Sequence, residues 1–363
     1  MRILIDTGHP AHIHYYRNLA ANLEEKGHEV FWTTKDIDIS RRLLNHYKIS
    51  YKVFRKKSDS LPGKALGQLA YIFELLRYCR AKRIDIAVGT SVTIAQASLF
   101  SKMKSLFFED DDDAVVPLSA RTAHPFATNL ISPDCLRGKQ KRRDTIYYSG
   151  YHELAYLHPE RFTPDPSILK EAGVEENEPF FIMRFNVFKA HHDRGVRGLT
   201  LDRKLKLTEM LNRHGKVFIT TERQIEPELS NYRLPVAPEK IHSLLAYATM
   251  FIGDSQTMTS EAAVLGIPSL RCNTLAGRIA YLEEQEHKYG LTYGFTPDKF
   301  DNLLTKLDEL LVMPDLKTEW QRRRNVMIRD KIDVTAFWTW FVHNYPESIK
   351  IIDENPDYQL NFR

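Results

Sequence analysis

Small polar residues and one carboxylate follow a short apolar strand in the segment Met250–Cys272, MFIGDSQTMTSEAAVLGIPSLRC. The residues that can cap exposed backbone N–H groups at the start of the next helix are Asp254, Ser255, Thr257 and Thr259. Gly266 marks the predicted helix end. Because unpaired N–H groups and the positive end of the helix dipole meet at such a turn, it is a natural anion site. Glu261 could accept hydrogen bonds from sugar hydroxyls. The segment predicts a site for a phosphorylated sugar or a nucleotide; an ordinary strand–turn–helix unit is the alternative.

A second group of residues suited to chemistry lies between the first strand and the first helix, in the segment DTGHPAHIH. Gly8 and Pro10 shape a tight turn there. Three histidines crowd the turn: His9, His12 and His14. An imidazole of near-neutral pKa can act as a general base, or bind a phosphate when it is charged. A metal site and a capping and packing role are the alternatives, and the histidine spacing matches no standard zinc pattern.

Charged residues that follow two further predicted strands are candidates for the same chemistry. The acidic run Glu109–Asp113 could coordinate a divalent metal or form a solvated loop. Arg184 ends the first predicted strand of the second half of the chain, and Asn186 follows it closely. Arg184 could help to neutralise a diphosphate leaving group. Ordinary loop polarity is the alternative for both residues.

The elements that must position these residues alternate between strands and helices along the chain. The apolar run Arg2–Asp6 predicts a buried strand, and apolar residues at helical spacing in Leu66–Lys82 predict a helix. The first helix is expected from about Tyr15 to Lys26. This alternation predicts the α/β class, with parallel sheets covered by helices on both faces. The second half repeats the plan, so two Rossmann-like, doubly wound domains are expected.

The length of 363 residues also favours two domains over one core. We expect an N-terminal domain at 1–150, a proline-containing connection at 151–177 and a C-terminal domain at 178–345 that carries the predicted site for a phosphorylated sugar or a nucleotide. A tail follows at 346–363, and the last helices could pack back on the first domain. In open α/β sheets ligands bind beyond the carboxyl ends of the strands. Two such domains predict a central cleft to which both contribute.

Composition and charge indicate an ordinary folded, cytoplasmic protein. Hydrophobic residues make up 43% of the chain and aromatic residues 11%, which argues against wholesale disorder. A net charge of +4 argues against a dedicated nucleic-acid binder. We expect no membrane span, signal peptide or disulfide framework. The basic runs Arg55–Lys57 and Arg137–Arg143 leave open a peripheral contact with anionic lipid at the inner face of the membrane, with solvated loops as the alternative.

The opening of the chain resembles that of the GT-B glycosyltransferases of the MurG type. The resemblance rests on Asp6-Thr-Gly-His-Pro-Ala-His12 and on Gly27-His-Glu-Val30, which begins fifteen residues after His12. By that spacing His12 matches the family histidine that precedes the first helix, and Gly8 lies in the matching turn. His-Pro-Ala replaces part of the glycine run of that family. The sequence is most similar to an uncharacterised GT-B-like group that opens with Asp-x-x-His-Pro-Ala-His.

The segment from Gly253 to Pro268 resembles the C-terminal nucleotide-sugar site of GT-B enzymes and of the UDP-N-acetylglucosamine 2-epimerases, which share that fold. In both, the matching glutamate binds the nucleotide ribose and the turn before the helix binds the diphosphate. The resemblance therefore implies that Glu261 is the ribose ligand. The implied diphosphate ligands are Ser255, Gln256 and Thr257. The predicted nucleotide-sugar-binding set is completed by Gly8, Arg184 and Asn186.

Transferases and 2-epimerases differ in the acid and base groups that they need. The 2-epimerases carry an aspartate where this chain has Gly89-Thr90-Ser91, and they carry a glutamate that matches Glu109. Epimerisation requires groups that remove and return a proton at a sugar carbon, whereas transfer requires one base to activate an acceptor hydroxyl. The predicted catalytic residues are His12, Glu109 and Asp110.

We therefore expect a GT-B glycosyltransferase that uses a nucleotide-diphosphate sugar, above all a UDP-sugar, in surface polysaccharide or glycolipid assembly. A nucleotide-sugar 2-epimerase is the alternative enzyme, and a non-catalytic GT-B-like binding subunit is the alternative of another class. The expected partners are the nucleotide sugar and an acceptor glycan or lipid-linked sugar, with no nucleic acid. This hypothesis calls for no cofactor and no metal.

Overall fold

A computed structural model describes residues 1–54, 61–185, 198–221 and 225–363, with residues 61–66 described by their backbone alone. These residues form two compact units, and each unit has its own sheet. The first unit comprises Met1–Tyr156 and Lys331–Arg363, and the second comprises Leu157–Asp330. The C-terminal residues thus belong with the first unit. The basic run Arg55–Lys57 lies outside the described residues.

The strands of the described residues are named here in chain order. They are β1 (Arg2–Thr7), β2 (Glu29–Lys35), β3 (Tyr51–Phe54), β4 (Ile86–Gly89), β5 (Lys104–Phe108), β6 (Asn129–Pro133), β7 (Ile146–Tyr148), β8 (Phe180–Phe185), β9 (Lys216–Thr221), β10 (Met250–Gly253), β11 (Ser269–Cys272) and β12 (Thr292–Phe295). The strand pairs within each sheet are parallel, which agrees with the alternation of strands and helices in the sequence.

The helices connect these strands. They are α1 (Pro10–Glu25), α2 (Asp38–His46), α3 (Leu61–Lys82), α4 (Val92–Ser98), α5 (Pro117–Thr122), α6 (Leu154–Leu157), α7 (Ser167–Glu171), α8 (Leu201–Asn212), α9 (Ile241–Leu245), α10 (Gln256–Leu265), α11 (Ala280–His287), α12 (Phe300–Leu311), α13 (Leu316–Asp330), α14 (Val334–His343) and α15 (Glu347–Glu354). Among the helices described here, none has both the length and the apolar composition needed to cross a bilayer.

The sheet of the first unit has the strand order β3-β2-β1-β4-β5-β6-β7. Its central strand β1 pairs with β2 on one side and β4 on the other. The side chains of Ile3, Leu4 and Ile5 are fully buried, because a central parallel strand is covered on both faces. Asp6 is also buried, and its carboxylate accepts hydrogen bonds from Thr33, Tyr71 and Ser91 at 2.7, 2.9 and 2.5 Å. Asp6 is thus a structural link between β1 and its neighbours.

The first helix begins earlier than the sequence predicts, at Pro10 rather than at about Tyr15. His9 is its N-cap, and the His9 side chain accepts a hydrogen bond from the Ala11 N–H at 3.2 Å. Proline suits the first helical position, because it has no N–H to satisfy there and its φ angle is already helical. His12 therefore lies in the first turn of α1 and not in an extended loop.

The chain returns to the first unit with an aromatic helix, α14. Phe337, Trp338 and Phe341 are fully buried. The Trp338 ring lies 4.6 Å from Phe108 of β5 and 5.8 Å from Tyr16 of α1, measured between ring centroids. These aromatic contacts anchor the C-terminal residues to the first unit.

The sheet of the second unit has the order β12-β11-β10-β8-β9. Gly253 ends β10 opposite Arg184 of β8, and a Cβ atom at residue 253 would lie 2.2 Å from the Arg184 carbonyl oxygen. Only glycine allows the two strands to approach this closely. The helix that follows, α10, ends at Gly266 in the left-handed conformation, with φ of 74°.

Candidate functional site

Each sheet reverses its strand order between two neighbouring strands. In the first unit, β1 leads to β2 on one side while β4 leads to β5 on the other. In the second unit, β8 leads to β9 on one side while β10 leads to β11 on the other. The crevice beyond the carboxyl ends of such strands is where open α/β sheets bind ligands.

In the second unit, the turn after β10 caps the N-terminus of α10. Ser255 is the N-cap, and its hydroxyl accepts a hydrogen bond from the Met258 N–H at 3.4 Å. The Thr259 hydroxyl donates back to the Ser255 carbonyl oxygen at 2.6 Å. Gln256 and Thr257 occupy the exposed start of the helix and are half-buried. The three predicted diphosphate ligands thus lie in one capped first turn, at the positive end of the helix dipole.

Asn273, which follows β11, stabilises the same turn through its side chain. Its side-chain amide donates to the Asp254 carbonyl oxygen at 2.8 Å, and its side-chain oxygen accepts from the Leu275 N–H at 2.9 Å. Asn273 is fully buried. A buried amide that bridges two loops fixes the backbone of the turn before any ligand binds, which lowers the entropic cost of binding there.

Glu261 lies one turn further along α10 and is buried. Its Oε1 atom lies 2.9 Å from Nε2 of His242, which belongs to α9 and is also buried. Because burial of a carboxylate is costly without a hydrogen-bond partner, His242 fixes both the position and the rotamer of Glu261. No local pattern predicts this pairing, because His242 lies on a separate helix in a segment without a motif.

Arg184 lies beside the same turn. Its carbonyl oxygen accepts a hydrogen bond from the Asp254 N–H at 3.1 Å, and its Nη1 atom donates to the Thr220 hydroxyl of β9 at 3.1 Å. The structure therefore brings Arg184 together with the capped turn of α10. Asn186, the other residue predicted in this segment, lies outside the described residues.

In the first unit, the turn after β1 positions His12. Nδ1 of His12 accepts a hydrogen bond from the Gly8 N–H at 3.3 Å, so the neutral ring carries its proton on Nε2. Burial lowers the pKa of His12 to about 3, and the neighbouring His9, His152 and Lys35 act in the same direction while Asp110 opposes them. An imidazole with this pKa is a weak base at neutral pH, but its Nε2–H remains a hydrogen-bond donor.

This low pKa predicts a pH-dependent contribution to stability. The unfolded chain binds a proton at His12 near pH 6.5 and the folded chain only near pH 3, so stability is complete above pH 6.5 and is lost as the pH falls towards 3. At pH 5 the loss is about 2 kcal/mol. We expect urea unfolding at pH 7.5 and pH 5 to show that wild type loses about 2 kcal/mol more than His12→Gln. Equal losses would contradict this assignment.

Glu109 is buried at the end of β5 and its oxygens are already engaged. Oε1 accepts from the N–H groups of Asp110 and Asp111 at 3.2 and 3.3 Å. Oε2 accepts from the Ser119 hydroxyl at 3.3 Å and lies 2.9 Å from Nε2 of His124. The geometry indicates that Glu109 shapes the acidic loop. A catalytic role for Glu109 stays a prediction.

Asp110 is paired with His152, which lies at the start of the predicted connection 151–177. Oδ2 of Asp110 lies 3.2 Å from Nδ1 of His152, and the His152 ring is fully buried. Burial alone would raise the pKa of Asp110, but the imidazoles of His152 and His12 outweigh it, and the pKa is lowered. The structure thus brings the predicted residues His12 and Asp110 together, and adds His152, which the sequence analysis missed.

The next carboxylate along the loop has the opposite property. Burial, followed by the charges of Asp110 and Glu109, raises the pKa of Asp111 well above its ordinary value. Two adjacent carboxylates with pKa values pushed apart are suited to separate acid and base roles. One oxygen each of Glu109, Asp110 and Asp111 lies within 4.8 Å of the others, so the loop could also offer oxygen ligands to a divalent cation.

The residues in place of the 2-epimerase aspartate have structural partners. The Thr90 hydroxyl lies 2.8 Å from the Tyr16 hydroxyl, and the Ser91 hydroxyl donates to Asp6. Gly89 passes close to β1, where a Cβ atom would lie 2.5 Å from the Asp6 carbonyl oxygen. This edge of the first unit therefore supplies hydroxyl groups and no carboxylate from Gly89-Thr90-Ser91.

Comparison with known proteins finds relatives for most of the chain. The family model described as "Protein of unknown function (DUF354)" matches residues 1–287. The uncharacterized protein MJ0665 of Methanocaldococcus jannaschii is 24% identical over 297 residues, which cover 78% of this chain and 86% of that protein.

Solved structures share the fold across nearly the whole chain. A Listeria monocytogenes protein provisionally assigned as a UDP-N-acetylglucosamine 2-epimerase is 12% identical, with a TM-score of 0.66 over 98% of this chain and 97% of that chain. The glycosyltransferase VinC, solved in complex with DTDP, is 14% identical, with a TM-score of 0.57 over 98% of this chain and 100% of that chain. This likeness and the two parallel sheets confirm the predicted α/β, GT-B fold.

Proposed function

The chain belongs to the DUF354 family, and from that premise we propose that it is a glycosyltransferase that uses a nucleotide-diphosphate sugar. The donor is a UDP-sugar, and the acceptor is a glycan or a lipid-linked sugar in surface polysaccharide or glycolipid assembly. The observation that carries the proposal is the capped N-terminus of α10 with Glu261 held by His242 at 2.9 Å. One segment thus offers a site for the diphosphate and a carboxylate that can accept hydrogen bonds from the ribose hydroxyls.

The proposed binding of the nucleotide sugar rests on the spacing of hydrogen-bond donors and acceptors along α10. Backbone N–H groups and the side chains of Ser255, Gln256 and Thr257 can meet the diphosphate, since a helix N-terminus favours an anion. Glu261 lies further along the same helix and can accept from the ribose hydroxyls. Arg184, next to the turn, supplies positive charge for the diphosphate as it leaves.

The acid–base role rests on Asp110. In the proposed reaction the oxygen of the acceptor hydroxyl bonds to the anomeric carbon, while the bond from that carbon to the diphosphate breaks. The nucleoside diphosphate leaves with the electron pair, and the hydroxyl proton passes to Asp110. Asp110 is suited to this step because its pKa is lowered, above all by the neighbouring His152, so the carboxylate is ionised and can accept a proton. His152 acts through Asp110, whose carboxylate it positions. His12 offers its Nε2–H as a hydrogen-bond donor.

One observation favours a second candidate, a nucleotide-sugar 2-epimerase. Asp110 and Asp111 are adjacent and have pKa values shifted in opposite directions, which suits removal and return of a proton at a sugar carbon. Against it stands the segment Gly89-Thr90-Ser91, which lacks the epimerase aspartate.

One set of incubations distinguishes the transferase, the 2-epimerase and the non-catalytic subunit. The protein is incubated in D₂O with UDP-sugars, with and without lipid-linked and glycan acceptors, and products are followed by mass spectrometry and NMR. We expect acceptor-dependent release of UDP and a new glycosidic product with no deuterium in the donor sugar. Deuterium at the sugar carbon without an acceptor would overturn transfer in favour of epimerisation. Donor binding without turnover under either condition would indicate a non-catalytic subunit.

A further inference from the structure

Four large apolar side chains on neighbouring elements of the first unit are strongly exposed. Leu69 and Phe73, one turn apart on α3, are 64% and 68% exposed. Leu99 and Phe100, in the turn after α4, are 55% and 64% exposed. Single exposed apolar residues are ordinary on a protein surface, but these four lie on elements that contact each other: α3 packs against α4, and Arg80 of α3 lines one groove with Leu99 and Phe100.

Basic residues continue the same face. On α3, Leu69, Phe73, Arg77 and Arg80 are all exposed, and their spacing of four, four and three residues places them along one side of the helix. Nη2 of Arg80 donates to the Phe100 carbonyl oxygen at 3.3 Å, which joins this stripe to the turn after α4. The side of α3 therefore passes from apolar to basic along its length.

A groove lies where the stripe meets that turn. Its volume is about 690 Å³, and its charged lining residues are Arg80, Arg83 and Lys102. All three cations are exposed, and no carboxylate is among the described residues that line the groove. The apolar part of the lining includes Leu99 and Phe100. We call the exposed apolar stripe, the basic stripe and this groove together the α3–α4 surface.

We propose that the α3–α4 surface docks on an anionic phospholipid bilayer. The side chains of Leu69, Phe73, Leu99 and Phe100 enter the interfacial region of the bilayer. The headgroup phosphates meet the cations Arg77, Arg80, Arg83 and Lys102. An apolar stripe flanked by basic side chains is the pattern of in-plane membrane binding, because long cationic side chains reach the headgroups while the apolar groups leave water.

The charge pattern favours a bilayer over a second copy of this chain. In a symmetric dimer through this face, both copies would bring the same cations to the interface, and the described lining residues of the groove include no carboxylate to neutralise them. A bilayer offers negative charge across the whole area of the surface. The α3–α4 surface shares no residue with the basic run Arg137–Arg143, which is the other candidate for lipid contact, so variants in each of them distinguish the two.

The test is co-sedimentation of the full chain with vesicles of phosphatidylcholine alone and of phosphatidylcholine with phosphatidylglycerol. We expect binding to the anionic vesicles, and much weaker binding at high salt. Each basic residue at the surface contributes about fivefold, so Arg83→Glu with Lys102→Glu lowers the partition coefficient by roughly tenfold or more. Leu69→Ser with Phe73→Ser lowers it by roughly tenfold or more because the apolar insertion is lost.

Matched controls lie elsewhere on the chain. Val312→Ser removes a side chain that is 76% exposed in the second unit, and Lys139→Glu reverses an exposed charge in the run Arg137–Arg143. We expect both to bind vesicles like wild type, and thermal melting shows whether all variants are folded. Absence of binding to anionic vesicles, or loss of binding by Lys139→Glu alone, would overturn the proposal. So would concentration-dependent dimerisation that the Leu69→Ser with Phe73→Ser variant abolishes.

Discussion

Asp110→Asn is expected to lower kcat for sugar transfer by roughly 10²- to 10⁴-fold, the range that a positioned general base contributes. The reason is that the amide cannot take the acceptor's proton, although its size and its contact with His152 are retained. Donor affinity is expected to stay close to that of wild type, because Asp110 belongs to the first unit and the proposed donor site to the second. Steady-state kinetics with saturating acceptor, together with calorimetry of donor binding, measures both quantities.

Two variants show whether the loss is chemical or structural. Asp357→Asn changes an exposed carboxylate of the same unit and is expected to leave kcat unchanged. His152→Gln removes the imidazole that lowers the pKa of Asp110, so that pKa rises. Because the base must be ionised, the acid limb of the pH–rate profile then moves to higher pH. An Asp110→Asn variant with wild-type kcat would remove Asp110 from the reaction.

Glu261→Ala is expected to weaken donor binding by roughly 10- to 150-fold, since hydrogen bonds to a charged group contribute about 1.5–3 kcal/mol. The carboxylate is buried and lies 2.9 Å from His242, so its side chain is already ordered before the ribose binds. The entropic cost of binding is therefore small. Calorimetry with a UDP-sugar and with UDP measures the effect. Both ligands are expected to lose similar affinity, because both carry the ribose.

The matched control for Glu261→Ala is Glu309→Ala, which removes an exposed carboxylate from α12 of the same unit, where it pairs with Lys306 at the surface. Surface ion pairs of this kind contribute little, so neither stability nor affinity should change measurably. If Glu261→Ala and wild type bind the UDP-sugar equally while both are folded, Glu261 does not contact the nucleotide.

The sequence predicts the local parts of the candidate site well, because local signals form them. Ser255 as a helix cap and Gly266 as a helix end need only the chain around them. The parallel sheets follow from the alternation of apolar runs. The predicted start of α1, at about Tyr15, is too late because the histidines favour a turn. His9 as N-cap and Pro10 as first helical residue instead favour a helix from Pro10 onwards.

The pairs that give the site its chemistry could not be predicted in the same way. Glu261 meets His242 across two helices, and Asp110 meets His152 between a strand end and a segment far along the chain. Such contacts depend on strand order and helix packing, which no local pattern encodes. In the sequence the acidic run is a single feature, but burial and neighbouring residues give its carboxylates different properties. Glu109 is engaged by four hydrogen-bond donors, whereas Asp110 and Asp111 have pKa values shifted in opposite directions.

We expect the N-terminal turns of α10 to bind a nucleotide-diphosphate sugar. Hydrogen–deuterium exchange of the full chain with and without a panel of UDP-sugars reports on this binding, because it follows the backbone amides of the turn proposed to hold the diphosphate. We predict that exchange slows in residues 254–261 on addition of the donor, and that Glu261→Ala reduces this protection at the same ligand concentration. Binding that protects other segments while the exchange of 254–261 stays unchanged, or no binding of any nucleotide sugar, would contradict the account.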